Sequence, residues 1–207
     1  MKNATHLLMI ADRSGSMEAV KHDAQGAINT FLAEQRALDG ECHLTFIEFD
    51  GGLADYDDWF RVVYEGDIAG STDYELHPRG FTSLNDAIGK AVVDLGEHFA
   101  NLPEEDRPSN VIVIIQTDGG ENSSKEWTVE KVRDLIDQQQ NDYNWSFVYL
   151  GMGPDTWNAG VNYGIQNNVR ASGTGASYGG TYATASHAVT MSRMSGQSIS
   201  GLDEDIK

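Results

Sequence analysis

Cysteine is almost missing from this 207-residue chain. Cys42 stands alone, so no disulfide can close within the chain and no cysteine cluster can hold zinc. A single cysteine of this kind reads as a small buried hydrophobe. Long apolar runs are missing too. The stretch nearest the start, "HLLMIA", is far shorter than a membrane span or the core of a signal peptide, and no small-residue cleavage site follows it. A reducing cytoplasm is the expected setting. Basic residues are scarce: 14 Lys and Arg against 32 Asp and Glu leave a formal net charge of -18, which opposes nonspecific attraction to nucleic acid and to anionic membranes. Three glycosylation sequons occur, at Asn3, Asn122 and Asn144, but so short a pattern recurs by chance and matters only in a secreted chain.

Nucleotide motifs are also lacking. "GMGPDT" has Thr156 where the third glycine of G-x-G-x-x-G belongs, and Leu84 stands where a phosphate loop ending at Gly89-Lys90 would need glycine. The six histidines show no H-x-x-x-H spacing, and only His22 lies near Ser14 and Ser16 to serve a serine nucleophile. No catalytic or cofactor-binding residues are assigned.

What is present is an alternation of strands and helices in a chain whose length suits one domain. Residues 5–11 read as a buried strand. From Met17, apolar residues recur in threes and fours through Val20, Ala24, Ile28, Phe31 and Leu38, with Gln35 the one polar lapse. "ECHLTFIEFD" and "WFRVVYEGD" are rich in β-branched and aromatic residues, and the Gly- and Asp-rich "GGLADYDD" between them suggests an antiparallel pair. Leu84, Ala87, Ile88, Ala91, Leu95 and Phe99 mark a second helix, and Pro103 and Pro108 punctuate the turn after it. "NVIVIIQT" is apolar without interruption, as suits a strand covered on both faces. A third helix follows, with Thr128 as N-cap and Val129, Val132, Leu135 and Ile136 on its apolar side. "WSFVYLG" is another buried strand; a short helix around "PDTWNAGVNYG" and a brief strand at "NNVRAS" follow it. The helical spacing of Tyr182, Ala185, Val189 and Ser192 predicts a terminal helix over 178–194. The expected fold is a doubly wound α/β domain over residues 1–194, mostly parallel with one antiparallel edge strand, and residues 195–207 read as a flexible tail.

In such folds ligands bind at the carboxyl ends of the strands. Two of the most apolar strands are followed directly by aspartate, Asp12 and Asp118. Their carboxylates therefore face one crevice. "DRSGSM" adds the hydroxyls of Ser14 and Ser16, giving an oxygen-only set without His or Cys, which suits a hard cation and magnesium best. Each piece has a plainer reading. Asp12, Ser14 and Ser16 could form a turn with an N-cap, Thr82 could cap the next helix, and Asp118-Gly119 could be an ordinary strand-end turn.

Together, D-x-S-x-S at Asp12, Ser14 and Ser16, G-x-T at Gly80 to Thr82, and T-D-G at Thr117 to Gly119 resemble the metal-ion-dependent adhesion site of von Willebrand factor type A domains. "DRSGSM" and "TDGGENSS" are most similar to the small intracellular members, bacterial or phage. The resemblance implies Mg2+, or Mn2+, held directly by Ser14, Ser16 and Thr82, with Asp12 and Asp118 supplying charge and orienting waters. It implies a noncatalytic module that captures an Asp or Glu of a protein partner, such as an AAA+ ATPase or a larger assembly. Two alternatives stay open: a metal-dependent, phosphatase-like hydrolase using the same ion, and an assembly protein whose site is vestigial. Glu121 and Asn122, just past Asp118, could contact a partner or tune the site, but loop residues of this sort are more often solvated, and His77 is the one histidine near Thr82.

Overall fold

A computed structural model describes residues 4–52, 58–153, 156–171 and 175–206 of the chain. Residues 53–57 of the "GGLADYDD" connection, the Pro154-Asp155 start of the short helix, Ser172 of "NNVRAS" and the Asn3 sequon lie outside the described residues. The strands are β1 (Thr5–Asp12), β2 (Cys42–Phe49), β3 (Phe60–Asp67), β4 (Asn110–Thr117), β5 (Ser146–Met152), β6 (Asn167–Ala171) and β7 (Asp203–Ile206). The helices are α1 (Lys21–Arg36), α2 (Leu84–Ala100), α3 (Val129–Tyr143), the single turn α4 (Ala159–Asn162) and α5 (Gly175–Ser195). The seven strands form one sheet in the order β3-β2-β1-β4-β5-β6-β7, parallel throughout except for β3.

Period-two alternation divides the core. Leu7, Met9, Ala11, Phe46 and Ile114 point to the face covered by α1 and α5 through Ile28, Phe31 and Val189. Leu8, Ile10, Val113, Ile115 and Phe147 point to the face covered by α2 and α3 through Leu84, Ile88, Val132 and Ile136. Every residue of β1 and β4 is buried, which accounts for their uninterrupted apolar sequences. From β1 the chain turns one way to β2 and β3 and then crosses to β4 on the other side. The switch point lies between β1 and β4.

Three local readings change in the structure. The first helix does not start at Met17: Gly15–Val20 form a tighter 3-10 turn, and α1 begins at Lys21. Gln35, the polar lapse, is fully buried because its amide nitrogen donates to Ser186 Oγ at 3.0 Å and Thr190 Oγ1 at 3.2 Å, while Arg193 donates to its side-chain oxygen. It clamps α1 to α5. The expected flexible tail over 195–207 is corrected, since Asp203–Ile206 pair with β6 as the parallel edge strand β7. Arg170 supplies the local reason, with Nη2 2.7 Å from Asp203 and Nε 2.8 Å from Asp205; three acidic residues in "DEDI" had hidden a strand. Thr128 does cap α3, accepting from the Lys131 N–H. Among the described residues, no helix is long and apolar enough to cross a membrane.

Cys42 is buried as expected, and burial pushes its thiol up to about 11. His6 is buried in β1 with Nε2 3.0 Å from Thr45 Oγ1 and its ring 4.9 Å from that of His43. Burial first, then the neighbouring charges of His43 and His98, lowers its pKa to about 3. The unfolded chain binds this proton near 6.5, so below that pH it holds more protons than the native state. Stability present above pH 6.5 is therefore lost as pH falls toward 3. From pH 7 to 5 the contribution of His6 alone should fall by about 2 kcal/mol. Urea unfolding at the two pH values should show the wild type losing about 2 kcal/mol relative to His6→Gln, a comparison in which the opposing contribution of Asp12, raised by its burial, is common to both; equal changes in the two would contradict it.

Candidate metal centre

The carboxyl ends of β1 and β4 bring three loops together. Asp12 closes β1 and is fully buried. Its Oδ1 accepts the Ser14 N–H at 2.6 Å and its Oδ2 accepts the Thr117 hydroxyl at 2.6 Å, so one carboxylate fixes the first turn and ties it to the end of β4. Ser14 stands at the N-cap of the 3-10 turn, yet its hydroxyl makes no capping bond. It lies 3.1 Å from Ser16 Oγ instead, and Ser16 Oγ donates to Asp118 Oδ1 at 2.7 Å. The plain capping reading of this serine is not realised.

Thr82 arrives from the second loop. The Gly15 N–H donates to Gly80 O at 3.0 Å and the Arg79 N–H to Arg13 O at 2.8 Å, which lays that loop along the "DRSGSM" turn. Gly80 takes φ +69°, a left-handed conformation that favours glycine at this close approach. Ser83, not Thr82, holds the N-cap position of α2. The convergence is clearest at Gly119. A β-carbon added there would lie 3.1 Å from Thr82 Oγ1, 3.4 Å from Ser16 Oγ and 3.8 Å from Ser14 Oγ. Hydroxyls from two loops thus surround one small region beside the third, with Asp12 and Asp118 against it. All five residues singled out in the sequence meet here.

The electrostatics follow from burial. Asp12 is pushed up to about 7, chiefly by burial and further by the charge of Asp118, while its bonds from Thr117 and Ser14 pull the other way. Asp118 is raised by burial as well. A cation among these oxygens would stabilise both carboxylates in their charged form. Among the described residues, no group of three or more His, Cys, Asp and Glu is placed to hold a metal. A metal centre here therefore depends on hydroxyls. Oxygen donors with two acidic groups fit Mg2+ or Mn2+ and do not suit a soft metal.

Several residues that support the site were missed or undervalued in the sequence. Asn122, read as solvated, grips Thr82 from both sides: its Oδ1 accepts the Thr82 N–H at 2.9 Å and its own N–H donates to Thr82 O at 3.1 Å. The Glu121 carboxylate accepts the N–H groups of Asn85, Ser123 and Ser124 at 2.8 to 2.9 Å. Asp86 likewise accepts those of Lys125, Glu126 and Trp127. The third loop is thereby stapled to the start of α2. Arg13, a mere spacer in D-x-S-x-S, is buried in an ionic cluster with Glu48 and Asp50. No spacing rule points to these contacts. His77 is exposed, with Nε2 3.7 Å from Glu75, and makes no contribution to the site.

No protein-family model matches the sequence, and no curated protein matches it. Solved structures do. The von Willebrand factor type A protein from Catenulispora acidiphila is 15% identical with a TM-score of 0.56, over 90% of this chain and 42% of that one. The pilus adhesin SpaC from Lactobacillus rhamnosus GG, in its open conformation, is 11% identical with a TM-score of 0.63, over 92% of this chain and 30% of that one. Proximal thread matrix protein 1 from the mussel byssus is 11% identical with a TM-score of 0.56, over 86% and 46% of the two chains. The chain spans less than half the length of each. At such identities the likeness is one of fold.

Proposed function

We propose, from the premise that this chain has the von Willebrand factor type A fold, that it is a noncatalytic protein-interaction module dependent on a divalent cation and acting in the cytoplasm. Ser14, Ser16 and Thr82 would hold Mg2+ or Mn2+, with Asp12 and Asp118 supplying negative charge. The ion, when bound, supplies a positive centre open to one carboxylate. The single observation that supports this reading best is the meeting of three hydroxyl oxygens around Gly119. With few carboxylates in direct reach, a cation there keeps most of its charge for a ligand.

The protein's own residues divide the work. Asp12 fixes the serine turn, Asn122 fixes Thr82, and Gly119 leaves room between them. The net charge of -18 would otherwise repel an acidic partner. A carboxylate therefore docks here only because of the ion. An AAA+ ATPase or a subunit of a larger assembly fits the role of partner.

Affinity capture from the native host, in Mg2+ and again in chelator, tests the proposal. A partner should be retained only with Mg2+ and survive moderate salt better than a screened surface contact would. Thr82 sits on its own loop, so Thr82→Ala should weaken partner binding more than metal binding, while Asp12→Ala should weaken both. Equal affinity for wild type and both variants, with or without chelator, would show that the partner docks elsewhere.

A further inference from the structure

Phe81 immediately precedes Thr82, and 53% of its surface is exposed, although Thr82 and Ser83 beside it are buried. It is exposed without being loose. Its N–H donates to Gly51 O at 2.7 Å, and the two residues form an isolated antiparallel bridge. The ring lies over Gly52, where an added β-carbon would come within 2.4 Å of Phe81 Cδ2 and where φ is +77°. Any larger residue at 52 would displace the ring. A rigid aromatic surface beside a buried ligand group costs little ordering when a partner covers it, and such aromatics dominate interface energetics.

Resting on the function proposed above, we infer that Phe81 is the apolar anchor of the same docking surface, and that the partner presents one Asp or Glu with a bulky apolar side chain within two residues of it. Adjacency along the chain supports the pairing: Thr82 faces the hydroxyl cluster and Phe81 faces solvent. A partner carboxylate at the site therefore brings its neighbours in sequence over the ring. Charge supports the single acid. Beyond the site the partner meets a chain of net charge -18, so a second carboxylate on the partner gains no ion and meets repulsion. The matching segment is apolar around a lone acid.

A displayed library of random linear peptides, panned on the full chain in Mg2+ and eluted with chelator, tests this. Recovered peptides should carry one Asp or Glu with a bulky apolar residue within two positions. Phe81→Ser should bind such a peptide at least about tenfold more weakly, with Mg2+ raising its melting temperature as much as that of wild type. Tyr143→Ser, which removes an equally exposed aromatic at the end of α3, should bind as wild type does. Chelator-eluted acidic peptides without an apolar neighbour, or peptides indifferent to Phe81→Ser, would overturn the anchor and leave metal-dependent capture standing. A library yielding no chelator-eluted peptide would overturn both.

Discussion

Arg13→Met is expected to destabilise the fold by about 3 kcal/mol. Arg13 is 3% exposed, Glu48 0% and Asp50 2%. Its guanidinium pairs with Glu48 through Nη1 and lies 2.8 Å from Asp50 through Nε. Removing it leaves two buried carboxylates short of positive charge. They are not left alone, because Arg61 Nε reaches Glu48 Oε1 at 2.7 Å, the Tyr74 hydroxyl donates to Glu48 Oε2 at 2.8 Å, and Arg79 Nε donates to Asp50 Oδ2 at 2.6 Å. These partners keep the loss near the lower end of the 3–5 kcal/mol that breaking a buried pair typically costs. Arg13→Lys should recover only part of it, since an ammonium cannot reach two carboxylates in the same fork. Urea unfolding would measure both variants; a loss under about 1 kcal/mol for Arg13→Met would contradict a structural role for the cluster.

The architecture was legible because its signals are local and periodic. β1 and β4 declare themselves by apolar runs, α2 by its threes and fours, and the antiparallel β2 and β3 by their composition. β7 was not legible. Its sequence is acidic, and what makes it a strand is Arg170 and the free edge of β6, neither of which a local window contains. Gln35 failed for the same reason: its partners are some 150 positions away on α5.

The site divides along the same line. Asp12, Ser14, Ser16, Thr82 and Asp118 fall in a recognisable order, each next to a strand end or helix start. Glu121, Asn122 and Asp86 work through bonds to main-chain groups, and Arg13 through two buried carboxylates distant in sequence; a carboxylate or amide in a polar loop looks the same whether solvated or bonded. Asn122 was the sharpest case. It is exposed, yet it holds Thr82 in place.

The second large effect is stabilisation by the metal itself. Asp12 and Asp118 are both raised by burial, and Asp12 also by the charge of Asp118. A cation that binds the native oxygens and not the unfolded chain adds about 2.7 kcal/mol at a hundredfold excess over its dissociation constant. For a domain of this size that is a rise of roughly 5–11 °C in melting temperature. Asp12→Ala removes the buried carboxylate, and Ser14→Ala combined with Ser16→Ala removes two hydroxyls whose bonds, among the described residues, are within the site. The double variant keeps the Asp12 bonds that fix the turn, so it should fold even if Asp12→Ala does not. The most direct measurement is the thermal melt of wild type and both variants in Mg2+, in Mn2+ and in chelator. Wild type should gain several degrees with either metal and lose them in chelator, while the variants should not respond. A wild type indifferent to metal and chelator, or variants that respond as it does, would contradict a metal site at Asp12, Ser14, Ser16, Thr82 and Asp118.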